Sequence, residues 1–214
     1  MRWRRRILMP GETAGMVELV AQPPGVAIDI DLDSFAGLTL VRDPSVASEM
    51  LTDLWSNGDF GTVARLIPPR FPARARLDEP NRRRDGDGFD PTLAGVLARH
   101  TTSPDDVFFC LWEGYGSIGP VPSGVQTIQR PGRGYLLFRG PVMSWGAMMP
   151  LPMGELPDLV WPADGAWFVG SDTDIDWDFI GASDDCLSDL ERERVLHVAR
   201  VAPEDRLVPP DWRP

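Results

Sequence analysis

The stretch "VFFCLWE", Val107 to Glu113, carries six apolar side chains in a row and is closed by "TTSPDD" before it and "GYG" after it. An apolar run of that length between turn signals is the pattern of a strand buried on both faces. "GYLLFRG", Gly134 to Gly140, repeats the pattern. Together they predict the interior of a sheet.

Outward from this centre the period changes repeatedly. "LTLVR" is a short strand, and "DPSVASEMLTDLWSNG" turns helical, with Val46, Met50, Leu51, Leu54 and Trp55 on one face, Ser45 as a cap and Gly58 as a stop. The prolines at 68, 69 and 72 break the regularity of the next segment, so "ARARL" is expected as an edge or irregular strand. "NRRRDGDG" (Asn81 to Gly88) is a polar loop, and "DPTLAGVLARH" is a helix that begins after Asp90 with Pro91 in its first turn and Leu93, Val96 and Leu97 inward. Nearer the N-terminus, Met16 to Ala21 and Val26 to Phe35 read as strands joined by "QPPG", the second alternating Ile28, Ile30 and Leu32 with Asp29, Asp31 and Asp33. The run from Pro141 to Gly165 is rich in proline, glycine, methionine and tryptophan, longer than an ordinary connection, and either packs on the sheet with short helical turns or lines a functional surface. "AWFVG" and "TDIDWDFIG" give two strands or one bent strand, Ser183 caps a further helix with Asp184 and Asp185 near its positive end, and "VLHVARV" is a last strand. Strands mixed with modest helices, without regular βαβ alternation, predict a single α+β domain over 1–214 with a mainly antiparallel sheet and about three helices. Residues 1–12 and 203–214 are expected as less regular termini.

The 214 residues, 43% of them hydrophobic, suffice for a core without disulfides or structural metal. Cys110 and Cys186 match no metal or redox spacing, and Cys110 reads as a small buried hydrophobe. The start "MRWRRRILMP" lacks the apolar stretch of a signal peptide, and no run of about 18 apolar residues occurs, so a cytoplasmic location without membrane association is expected. All 21 basic residues are arginine, a uniformity that reflects composition bias and carries no mechanism.

The net charge of -11 is uneven: from Pro141 to Glu191 there is no basic side chain. A surface made from this span repels nucleic acid and attracts a basic protein or a cation. Within it, "GSDTDIDWDFIG" alternates Asp172, Asp174, Asp176 and Asp178 with Thr173, Ile175, Trp177 and Phe179. Read as one strand, this places the four acids on a solvated face and Ile175 and Trp177 in the core. It is not a calcium loop, because Trp177 or Phe179 stands where the turn needs glycine.

No motif asks for a cofactor or a metal. "GYGSIG" (Gly114 to Gly119) matches a dinucleotide fingerprint literally, but Pro120 and Pro122 block the helix that should come next, and no acid occurs between Glu113 and Glu155 to hold a ribose. Cys110 and Cys186 have only His100 and His197 as bases for nucleophilic chemistry, and no serine sits in a G-x-S-x-G elbow. Glu113 is the best single carboxylate for acid/base work and has no identifiable partner in the sequence. Of the eight tryptophans, Trp145 and Trp161 read either as core anchors or, with Met148, Met149 and Met153, as a recognition surface.

At "FFCLWEGYG", "YLLFRGP" and "WPADGAWFVGSDTDIDWDFIGAS" the chain resembles a set of actinobacterial cytoplasmic proteins of unassigned function, over roughly residues 60 to 205. The resemblance implies a shared fold and brings no ligand or catalytic residue. A looser likeness to α+β toxin-immunity and peptide-recognition modules rests on architecture and acidity. The expected function is a protein-binding module, immunity-like in character. Its acidic surface lies at 141–191, and Asp172, Asp174, Asp176, Asp178, Trp145 and Trp161 meet a basic protein. The alternative is a hydrolase or transferase that uses Glu113 beside the glycine loop at 114–119.

Overall fold

The computed structural model describes residues 35, 37–55, 61–77, 91–115, 120–130, 133–148, 157–172, 175 and 177–207. The strands read at Met16 to Ala21 and Val26 to Phe35 (Phe35 itself excepted), the arginine loop at 81–88, Met149, Met153, Asp174, Asp176 and the outermost termini lie outside these residues.

Among the described residues nine strands form one antiparallel sheet: β1 (Thr39–Val41), β2 (Ala73–Leu77), β3 (Val107–Trp112), β4 (Ile128–Arg130), β5 (Arg133–Gly140), β6 (Leu159–Pro162), β7 (Phe168–Ser171), β8 (Asp178–Ala182) and β9 (Val198–Arg200). Their order is β1-β5-β3-β6-β7-β8-β2-β9, with β4 forming a hairpin on β5. The fold is therefore α+β, with the two apolar runs β3 and β5 side by side and paired from Val107↔Gly140 to Trp112↔Tyr135. Around the sheet lie α1 (Ser48–Trp55), α2 (Val63–Leu66), α3 (Thr92–Arg99) and α4 (Asp184–Arg192), with 3-10 helices at Pro44–Ala47 and Val142–Met148.

Strand alternation sorts the side chains into two cores, one on each face. On the first face Phe109, Leu136, Phe138, Val160, Val169 and Ile180 meet α3 through Leu93, Val96 and Leu97, and α4 through Cys186, Leu187 and Leu190. On the second face Phe108, Leu137, Trp161, Phe168 and Phe179 meet Met50 and Leu51 of α1, Val63 and Leu66 of α2, and Phe71 beyond it. Antiparallel sheets commonly leave one face to water. Here both are covered, which is why β3 and β5 read as continuous apolar runs with no alternation.

The second face closes tightly because two positions have no side chain. A Cβ on Gly170 would lie 2.9 Å from the Leu66 carbonyl oxygen, and one on Gly181 would lie 2.5 Å from Ile67 and 2.8 Å from the Phe71 ring. Both glycines let α2 and the chain after it rest directly on β7 and β8. At the start of α4 the local chemistry is as the sequence predicts: the Ser183 hydroxyl accepts the Cys186 N–H at 3.2 Å and opens the helix.

Three expectations are corrected. "ARARL" is an interior strand, held between β8 and β9, because Ala75 and Leu77 pack into the first-face core while Arg74 and Arg76 lie half-buried on the second face. Val46 is 58% exposed, since a 3-10 turn precedes α1 and shifts the helical phase. The helices number four plus two 3-10 segments among the described residues; "VARL" is one turn long and the 142–148 segment is 3-10, so neither shows a sequence period.

Candidate functional site

The ends of Leu77, Trp112 and Ser171 and the starts at Arg133, Leu159 and Asp178 fall at one rim of the sheet. β6 begins opposite Cys110, two residues short of the end of β3. The notch is filled by Asp158, 2% exposed, whose Oδ2 accepts the Trp112 N–H at 3.1 Å and whose Oδ1 accepts the Tyr115 hydroxyl at 3.1 Å. A carboxylate thus ends a ladder that a shorter strand cannot continue.

Over the second face of this rim lies a row of half-buried side chains. Arg133 reaches from β5 across the notch to Asp172 beyond β7, with Nη2 to Oδ1 at 2.7 Å. Its guanidinium stands over the Trp112 ring at 5.1 Å, and that ring meets Tyr115 edge-on at 5.3 Å. Further along, Arg76 of β2 lies over the Trp177 ring at 5.4 Å. The two indoles are three strand spacings apart, roughly 14 Å, with Asp172 between them.

The acidic stretch is not one strand. β7 stops at Ser171 and β8 starts at Asp178, paired with each other, and the chain turns between them with the Ile175 N–H on the Asp172 carbonyl at 3.1 Å. The reversal puts Asp172 and Asp178 on opposite faces. Asp178 is buried at 4% exposure beside Leu77, and Asp172 is only 21% exposed in its ion pair, so neither stands on a solvated acidic face. Ile175 and Trp177 are half-buried, where a continuous strand would have put them in the core.

Trp145 and Trp161 are core residues, at 0% and 2% exposure. Trp161 stacks between Phe108 at 5.4 Å and Phe168 at 5.7 Å, and Trp145 meets Phe109 edge-on at 6.3 Å from the 3-10 helix. Proline and methionine neighbours give both a loop-borne look in the sequence; sheet and helix packing bury them. Among the described residues the half-buried indoles are instead Trp112 and Trp177, each at the boundary between an apolar strand and a polar loop. Sequence reasoning misses Arg133 and Asp158. Their only signal is position, Arg133 opening the apolar strand β5 and Asp158 directly preceding β6.

Glu113 lies on the first face, with its carboxylate over Gly134, whose missing side chain makes the room. It is turned away from Arg133 and Asp172, and the glycine loop beside it is described only at Gly114 and Tyr115. Both thiols are buried: burial, aided by the Asp158 charge, pushes Cys110 far up, and burial with Asp189 nearby pushes Cys186 up to about 12. A thiolate nucleophile is disfavoured at both. His100 is held by Asp189 at 2.9 Å. Among the described residues no group of three or more His, Cys, Asp or Glu could hold a metal, and no helix is long and apolar enough to cross a membrane.

Other acids of the arginine-free span are also engaged within the chain. Asp164 accepts the Thr101 and Thr102 hydroxyls at 2.8 and 2.7 Å, and Arg200 ties Asp184 at 2.9 Å to Glu191 at 2.5 Å. Comparison of the chain with protein-family models, curated proteins and solved structures returns no match.

Proposed function

We propose that the chain is a protein-binding module that meets a basic partner at the Trp112–Asp172–Trp177 rim. The observation that carries this reading is the pairing of two half-buried indoles on one sheet end with a carboxylate between them, while both broad faces of the sheet are closed by the chain's own helices. Tryptophan and arginine at a half-buried boundary are the side chains that concentrate binding energy in protein interfaces. The span from Pro141 to Glu191, without a basic side chain, adds an attractive field for a cationic partner and speeds encounter. An immunity protein that neutralises a basic toxin is one protein of this kind. The shielding of both thiols and the placement of Glu113 on the face opposite Asp172 favour binding over catalysis.

The test is capture of a partner by the immobilised chain at low and high salt, with wild type set beside Trp177→Ala and Asp172→Asn. Both variants should lose the partner, Asp172→Asn mainly at low salt, where charge is least screened. Equal capture by all three proteins, or a turnover that vanishes in Glu113→Gln, overturns the reading.

A further inference from the structure

Arg133 occupies the place that an arginine of a partner would need. Its guanidinium lies over one indole, at 5.1 Å, and bonds a carboxylate at its edge, at 2.7 Å. These are the two contacts by which a protein surface recognises an arginine, a π face and a planar acceptor. The arginine comes from β5, the strand next to the indole's own, and reaches past the notch that Asp158 fills to bond Asp172, so a long side chain from a third strand occupies the position. A second arginine, Arg76, repeats the stacking on Trp177 two strands beyond β6 and its neighbour β7.

We infer that Arg133 is an internal occupant of an arginine-recognition seat formed by Trp112 and Asp172, and that an arginine-rich partner binds by displacing it. This rests on the reading of the rim as a site for a basic protein and adds the mode of recognition. Displacement is feasible because the pair can be reached from solvent, with 17% of the Arg133 side chain and 21% of Asp172 exposed, and because an incoming guanidinium takes over the carboxylate, so no buried charge is left without a partner. The exchange conserves charge, since one guanidinium replaces another on the same carboxylate. Arginine is favoured over lysine because an ammonium neither stacks nor bonds a carboxylate with two parallel donors.

The consequence runs against the usual result of removing an interface residue: loss of Arg133 strengthens binding. The probe is a deca-arginine peptide titrated into the full chain at low salt and followed by indole fluorescence, with deca-lysine and deca-glutamate alongside. Wild type should bind deca-arginine more tightly than deca-lysine. Arg133→Gln should bind it roughly fivefold to tenfold more tightly, tenfold being 1.4 kcal/mol, and Asp172→Asn should bind it more weakly. Arg133→Lys, which keeps the charge and packs a similar stem, gives an intermediate gain and serves if the glutamine variant melts early. Wild-type binding with equal or weaker affinity in both Arg133 variants overturns the displacement and leaves the rim as a basic-partner site. No binding by any of the proteins overturns both. Equal affinity for deca-arginine and deca-lysine in every variant overturns the seat, because charge alone then explains the binding.

Discussion

The Tyr115 hydroxyl donates to Asp158 Oδ1 at 3.1 Å while the backbone N–H of Trp112 donates to Oδ2 of the same buried carboxylate. One side chain thereby joins the end of β3, the loop after it and the start of β6. Asp158→Ala leaves the Trp112 N–H without this acceptor at a buried strand end, and a loss of about 1–3 kcal/mol is expected. Tyr115→Phe removes one hydrogen bond and should cost about 0.5–1.5 kcal/mol. Urea denaturation checks both; a smaller effect from the aspartate change than from the tyrosine change would contradict this placement.

Glycines at two places should respond to alanine with opposite signs. At Gly181 the new methyl group meets Ile67 and the Phe71 ring, so overpacking should destabilise by about 1–3 kcal/mol. At Gly95, within α3, nothing lies within 4 Å of the added carbon, and helix propensity should stabilise by about 1 kcal/mol. Thermal melts of the two single variants measure the difference directly.

Acid should weaken the fold through a few identified carboxylates. Asp164 loses solvation by partial burial, yet hydrogen bonds from Thr102, Thr101 and Ala166 outweigh this and hold it below the ordinary value of 3.8. The Arg139 guanidinium lowers Asp106 in the same way. A carboxyl lowered in the folded chain contributes stability that is full above its unfolded value and lost as pH falls through the folded one. Stability should therefore drop below about pH 4, and less steeply in Asp164→Asn. Urea midpoints measured from neutral pH down into strong acid would show it; an unchanged slope in the variant refutes the assignment.

Neither cysteine should react while the chain is folded. Burial raises Cys110 and Cys186 alike, so little thiolate forms at about pH 8. Ellman's reagent should find no fast thiol in the native protein and both thiols in urea. A rapid native reaction at either cysteine would show that its cover opens readily.

The sheet interior is legible in the sequence because β3 and β5 are apolar on both faces, and a run of that kind has few other readings. α3 and α4 are legible through spacing and, for α4, through the Ser183 cap. The acid stretch misleads for a local reason: the chain reverses between Asp172 and Trp177, but alternation continues unbroken in the sequence, so Asp178 reads as lying on the face it leaves. Trp161 misleads because stacking on Phe108 and Phe168 depends on strands about 53 and 7 residues away, a relation set by strand order. The rim itself has no sequence signal as a unit. Its members come from β2, β3, β5 and the ends of β7 and β8, and only the order of those strands brings them together.

The position of β2 has a consequence in time. Its neighbours are β8 and β9, and its pairing Ala73↔Ala182 joins residues roughly 100 apart. At synthesis rates of about 5–20 residues per second, β2 leaves the ribosome roughly 5–20 s before the strand it must join. An apolar interior strand kept waiting that long would invite pairing with other nascent chains. "ARARL" waits more safely, since Arg74 and Arg76 keep it in water until β8 arrives and the second face closes around them. The two arginines that face away from the alanines suit a strand that has to spend its first seconds as an edge.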